Sequence, residues 1–238
     1  MPWLSFIDDE TLKKEVKHLL DTAQKAKINA PKKFGKNVID PFSALFEMSG
    51  FNLSHDGWVE NEMIRQAQKT LQNQTGTFHQ NILGSIKGWE NLGTGAVVDL
   101  VSHEKQIIAE VKNKYNTISG GKLSELYTTL ENQVMPKSSR YKSYTAYYVT
   151  IIPKKAERND NPFVPSDKEK GAKCPENELI RQIDGSSFYS LVTGEENALK
   201  TLYDCLPEVV QSVLDYQYSA SDKQELSNYF QRAFDLNK

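Results

Sequence analysis

Three residues of this chain have the types and the spacing to do chemistry together. They are Asp99 and, after ten intervening residues, Glu110 and Lys112 on either side of Val111. Their neighbours Val97, Val98, Leu100, Ile107, Ile108 and Val111 are apolar, and a polar turn at Ser102-His103-Glu104-Lys105 separates two β-branched runs. Side chains alternate along a strand, so Glu110 and Lys112 share one face, and a partner strand joined by that turn can bring Asp99 beside them. Two carboxylates and an amine at the end of apolar strands need compensation for partial burial. A hard divalent cation supplies it. Magnesium takes oxygen ligands, commonly one or two carboxylates, with waters and substrate phosphate completing the octahedron. Asp99 and Glu110 are the candidate metal ligands, with the Val111 carbonyl as a further one, and Lys112 is the candidate catalytic amine. Such a group suits phosphodiester hydrolysis: metal polarises phosphate and activates water, while the ammonium offsets developing charge. Charged residues make up 25% of the chain, so an aspartate followed by E-x-K also arises from unrelated surface charges. The apolar flanks separate the two readings, since solvated charges seldom need them.

The elements that must position this trio follow from periodicity. Asp8 or Asp9 caps a first helix with Leu12, Val16, Leu19, Leu20 and Ala23 at helical spacing. Asp40-Pro41 starts a second, whose Phe42, Leu45 and Phe46 are expected to face inward before Gly50 ends it. A third is expected from Trp58 to about Asn73, and a fourth after Gly76 that buries Phe78, Ile82, Leu83 and Ile86. The period then changes to that of strands, over 96–101 and 106–112, followed by a helix marked by Leu123, Leu126, Tyr127, Leu130 and Val134 and a strand over 144–152. Residues 153–175, which include Pro153, Pro162 and Pro165, are rich in charges and are expected to form a long exposed loop. A short strand into Asp184-Gly185 and helices over 195–214 and 221–234 complete the chain. The expected fold class is α/β: a central mixed sheet flanked by helices behind a helical N-terminal part. One domain over 1–238 is expected, with a helical part over 1–90, a catalytic sheet core over 91–153 and a recognition loop with C-terminal helices over 154–238.

Composition narrows the function classes. The chain is 238 residues long with a net charge of −2, but the charge is unevenly spread. Residues 105–173 carry thirteen Lys and Arg against seven Asp and Glu, while residues 174–238 carry five against eleven. A further lysine run, Lys13 to Lys36, is either a solvated helix face or a phosphate-contacting one. No run of apolar residues is long enough to span a bilayer, and the N-terminus lacks the pattern of a secretory signal, so the cytoplasm is the expected location. Cys174 and Cys205 show neither zinc spacing nor a disulfide framework. No glycine-rich phosphate loop ending in Gly-Lys-Ser/Thr is present, so no nucleotide cofactor is expected.

The segments GTGAVVDLV and IIAEVKNKYNT resemble the PD-(D/E)XK nuclease superfamily, with Val98 in place of the proline of that name. Together with RQAQKTLQNQTGTFHQNILGSIKGW at 65–89 and IDGSSFYSLVTG at 183–194, the chain resembles type II restriction endonucleases that recognise GGNCC-like sites, over roughly residues 40–215. The resemblance implies Mg2+-dependent cleavage of double-stranded DNA at a short GG/CC-containing palindrome, leaving 5′-phosphate and 3′-hydroxyl ends. It implies metal binding by Asp99 and Glu110 and catalysis by Lys112, and a homodimer, because two-fold symmetry matches a palindrome. An acid from an upstream helix often completes such a site; Glu62 is the candidate, with Glu60 in reserve. His79 and Gln80 are candidates for approaching DNA, and Asn113, Lys114 and Asn116 for holding phosphates. Guanine is read through O6 and N7 by arginine or lysine, which nominates Lys154, Lys155, Arg158 and Arg181. Two other readings stay open: a repair or recombination nuclease of the same fold, and a non-catalytic DNA-binding protein.

Overall fold

The computed structural model describes residues 2–234. Its N-terminal part is helical: α1 (Asp9–Phe34), α2 (Pro41–Gly50) and α3 (His55–Gly84). Asp8 caps α1 by accepting from the Thr11 amide at 2.8 Å, and Leu12 and Val16 of the expected stripe are buried. The break expected near Gly76 is absent, and α3 runs through it. A single helical glycine costs about 1 kcal/mol, which the apolar residues held along α3, Trp58 towards its start and Phe78, Ile82 and Leu83 towards its end, easily outweigh.

Residues Val16–Phe78 form one compact unit; the chain through Glu15 and from His79 onward forms another. In the first, Asp40 accepts from the amides of Phe42 and Ser43, the expected cap of α2. Trp58 packs edge-on against Phe34 and donates its indole N–H to Glu47 at 2.9 Å. Phe42, Leu45 and Phe46 do not face inward as expected: all three are exposed, and α2 has no buried residue. Amphipathic spacing says that a helix has an apolar face, not that the same chain covers it.

The second unit is built on a six-stranded sheet. Its strands are β1 (Glu90–Asn91), β2 (Leu100–Ser102), β3 (Ile107–Lys114), β4 (Thr145–Ile152), β5 (Asp160–Pro162) and, after the small hairpin of β6 (Ser166–Asp167) and β7 (Ala172–Lys173), β8 (Ile180–Asp184). The order is β1-β2-β3-β4-β8-β5. β3, β4 and β8 run parallel to one another, while β1 with β2, β2 with β3 and β5 with β8 pair antiparallel, so the sheet is mixed as expected. α4 (Leu123–Val134) covers one face, where its Tyr127 and Leu130 meet Ile108, Ala146, Tyr148 and Ile180. α5 (Gly185–Thr193) covers the other, with Phe188 against Trp89 and Tyr147. α6 (Ala198–Val213) and α7 (Ala220–Phe234) follow. This is the expected α/β class.

Three further expectations are corrected. β2 begins only at Leu100, leaving residues 96–99 irregular. The segment after β4 is not a free loop: β5 pairs with the edge of β8, and Phe163 is buried against Tyr127 and Tyr148. An edge strand tolerates Pro162 because no ladder hydrogen bond is required of it on the outer side. Gly185, expected at the end of the short strand, instead starts a helix where none is expected before residue 195, because Asp184 accepts from the Ser187 amide at 3.0 Å.

Candidate active site

The site begins where β2 stops. Leu100 pairs with Ala109, and the Asp99 amide still donates to the Ala109 carbonyl at 3.0 Å. The next β3 residue facing that side, Val111, finds no further backbone rung. Its amide instead donates to the Asp99 carboxylate at 2.7 Å. One carboxylate thus replaces a ladder bond and is fixed beside the strand that carries Glu110 and Lys112. The Lys112 amine lies 2.5 Å from Glu110 Oε1 and 3.8 Å from Asp99 Oδ2, so all three side chains converge. They are only 16–24% exposed.

Electrostatics follow from that packing. Burial pushes the Glu110 carboxyl above its ordinary value and the neighbouring Asp99 charge adds to the rise, while Lys112 opposes it. Like charges held this close in a partly dehydrated place attract a cation. Among the described residues no cluster of three or more His, Cys, Asp or Glu has metal-binding proximity. The donors present are two carboxylates and the Val111 carbonyl, all hard oxygens, a set that suits an ion retaining several waters.

The end of α3 borders this rim. Gln80 Nε2 donates to the Val111 carbonyl at 3.4 Å. Asn81 donates to Glu15 at 2.6 Å and accepts from Asn91 at 2.8 Å, which ties α3 to the start of α1 and to β1. Sequence reading named Gln80 as a neighbour of DNA, and missed its contact with the centre of the E-x-K run. Such a contact needs tertiary placement, and no local pattern signals it.

His79 turns towards α5. Its Nδ1 lies 2.8 Å from the Tyr189 hydroxyl, and burial pushes the imidazole down to about 4 from 6.5. The unfolded chain therefore binds this proton before the folded one does as pH falls. The stability from the neutral ring is complete above 6.5 and is lost progressively towards about 4. Glu110, shifted upward, has the opposite sign and cannot cause an acid loss. Urea melts across this window should show His79→Gln flattening the fall in stability, by about 3 kcal/mol at the acid end. An unchanged slope would assign the acid sensitivity elsewhere.

The other nominated residues divide into two groups. Lys114 pairs in register with Ile152, so Lys114, Asn116, Lys154 and Lys155 lie at or just beyond the carboxyl ends of β3 and β4, the same end as Lys112, and all four are exposed. Asn113 follows there too, on the opposite face of β3 from Lys112, with a buried Oδ1 that has no hydrogen-bond partner among the described residues. The arginines are engaged. Arg181 holds Asp160 and Glu178, each at 2.6 Å. Arg158 donates to Ser190 and to the Glu196 carbonyl. In the helical unit, Glu62 accepts from Arg65 and Gln66, and Arg65 holds its carboxyl below the ordinary range. Glu60 is exposed.

Fold and site together define an α/β enzyme with two acids and an amine at the rim of a mixed sheet. The family model of the Eco47II restriction endonuclease matches residues 4–215. The chain is 49% identical to the type II restriction enzyme Eco47II of Escherichia coli over 239 aligned positions, which cover 98% of this chain and all of that enzyme. It is 33% identical to the type II restriction enzyme Sau96I of Staphylococcus aureus, over 86% of this chain and 78% of that enzyme. The chain belongs to the Eco47II restriction endonuclease family, and it is an enzyme of the type II restriction class.

Proposed function

We propose that this protein is a sequence-specific, Mg2+-dependent endonuclease with a PD-(D/E)XK-like core. It hydrolyses double-stranded DNA at a short palindromic site of the GGNCC kind, as a homodimer in the cytoplasm, and leaves 5′-phosphate and 3′-hydroxyl ends. The observation that carries the reading is the meeting of Asp99, Glu110 and Lys112 where β2 gives way to a carboxylate. Kinship with two type II restriction enzymes supports it.

In this reading Asp99, Glu110 and the Val111 carbonyl hold the ion, which supplies Lewis acidity and an activated water. The chain's own residues do the rest. The Val111 amide fixes the Asp99 carboxylate, and Gln80 orients the Val111 carbonyl. Lys112 places its ammonium between the acids, where it stabilises negative charge developing on the scissile phosphate. Glu62 is the proposed auxiliary acid, with Glu60 in reserve; its bond to Arg65 keeps it ionised. Asn113, Lys114 and Asn116 hold the flanking phosphates, and Lys154, Lys155, Arg158 and Arg181 read bases, the arginines by exchanging their present carboxylate and carbonyl partners for guanine. His79 supports Gln80 from behind through Tyr189.

The test is a digest of DNA of known sequence with magnesium, followed by sequencing of the ends. Discrete fragments whose ends all fall in one GG/CC-containing palindrome, and their loss with a chelator, are expected. A ladder of products, or cleavage only at ends, flaps or junctions, would overturn the proposal.

A further inference from the structure

The exposed apolar face of α2 is the most conspicuous feature that the catalytic reading leaves unused. Phe42 is 73% exposed, Leu45 59% and Phe46 67%, one stripe at helical spacing, with Val38 fully exposed before the helix and Phe51 71% exposed at its end. Together these side chains present on the order of 600 Å² of apolar surface, the upper end of what a lone soluble protein shows. The helix is ten residues long and buries none of them. Isolated helices of that length are marginal in water. What holds α2 within its unit is the Asp40 cap, the bond from Trp58 to Glu47 and the partial burial of Ala44, Glu47 and Met48.

We propose that this face is the contact through which two copies of this chain associate, α2 packing against α2 across a two-fold axis. The inference deepens the reading above, since it rests on the proposed dimer and names its surface. Area supports it. A two-fold contact doubles the patch to about 1,200 Å², the lower bound of stable interfaces between proteins. A stripe facing its own image is self-complementary, as a two-fold contact demands. The helix itself argues against a phosphate partner: α2 carries Glu47 and no Lys or Arg, so it offers phosphate no cation. Lys32, Lys33 and Lys36 precede Val38 in the chain, and the vesicle arm of the test below addresses lipid.

Sedimentation velocity of the full-length protein tests this, comparing wild type with the double variant Phe42→Asp, Phe46→Asp and with Leu45→Asp alone. Circular dichroism and thermal melts serve as the fold control. Wild type should sediment as a dimer, and the double variant should dissociate at least a hundredfold more readily with its helix content intact. Leu45→Asp, a milder change, covers the case in which the double variant loses its cooperative melt. A wild-type dimer unaffected by either variant would refute this face and leave the dimer itself standing. Wild type that is monomeric at micromolar concentration, both free and with DNA bearing the site, would refute the dimer and this face together. Sedimentation of wild type, but not of the variants, with anionic phospholipid vesicles would reassign the face to lipid.

Discussion

Lys112→Met should abolish DNA cleavage, lowering turnover by on the order of 10^3-fold or more, while leaving a folded protein that still binds DNA. Methionine keeps most of the aliphatic stem, so the packing of β3 is retained and only the charge is lost. The direction of a second effect separates catalysis from structure. The amine now lies 2.5 Å from Glu110 and 3.8 Å from Asp99 and neutralises them in part. Without it the two carboxylates repel each other unopposed, and Glu110, already raised by burial and by Asp99, moves higher still. A divalent cation relieves that repulsion, so the variant should gain more thermal stability from added Mg2+ or Ca2+ than wild type does. Glu110→Gln should lose both turnover and that stabilisation, because it removes a ligand together with the charge. If the trio were only a structural ion cluster, Lys112→Met would destabilise the fold, cations would not restore it, and cleavage per folded molecule would be unchanged. Gel assays of cleavage and melts with and without cation, on the same preparations, decide between the two.

How much of this was legible beforehand depends on the range of the forces concerned. The trio was readable because strand periodicity is local: Glu110 and Lys112 share a face whatever surrounds them, and the turn after Ser102 brings β2 back beside β3. The sequence did not reveal that β2 begins only at Leu100, so that the Asp99 side chain can take the next rung. Caps were equally legible, as Asp8 and Asp40 bond the amides expected of them. Partners over longer range were not. The positive charge of Arg181 is plain in the sequence, but Asp160, which occupies it, lies 21 residues away and is brought near only by the pairing of β5 with β8. The α2 stripe shows the same limit, since the pattern marks an apolar face and leaves its cover unspecified. Gly76 misled because a glycine weakens a helix without ending it, and tertiary burial on either side decided the matter.

Gly185→Ala should strongly destabilise the sheet unit although it adds a single methyl. The reason is space rather than backbone freedom. A Cβ built at this position would lie 2.4 Å from the Ile151 carbonyl oxygen and 2.7 Å from the Ile151 Cα. Both are backbone atoms of β4, the middle of the sheet, and cannot rotate away as a side chain would. The methyl must therefore lift the start of α5 off the strand. That helix carries Phe188 and Tyr189, both fully buried, and its cap, Asp184, also accepts from the Asn159 amide at 2.7 Å. Overpacking of this kind costs about 3 kcal/mol, equivalent to a fall in Tm of about 6–12 °C for a domain of this size. Gly120→Ala is the matched control, since a Cβ there meets nothing within 4 Å. The consequence should extend to the active site. Tyr189 of α5 meets His79, and the next residue, Gln80, donates to the Val111 carbonyl between Glu110 and Lys112. Below its melting point, Gly185→Ala should therefore cleave more slowly than wild type at saturating DNA, with little change in DNA affinity, because the displaced helix loosens the carbonyl rather than the phosphate contacts. A variant with an unaltered Tm would show that β4 and α5 are not pressed together as described, and one with a lowered Tm but full turnover would break the proposed link from α5 to Val111.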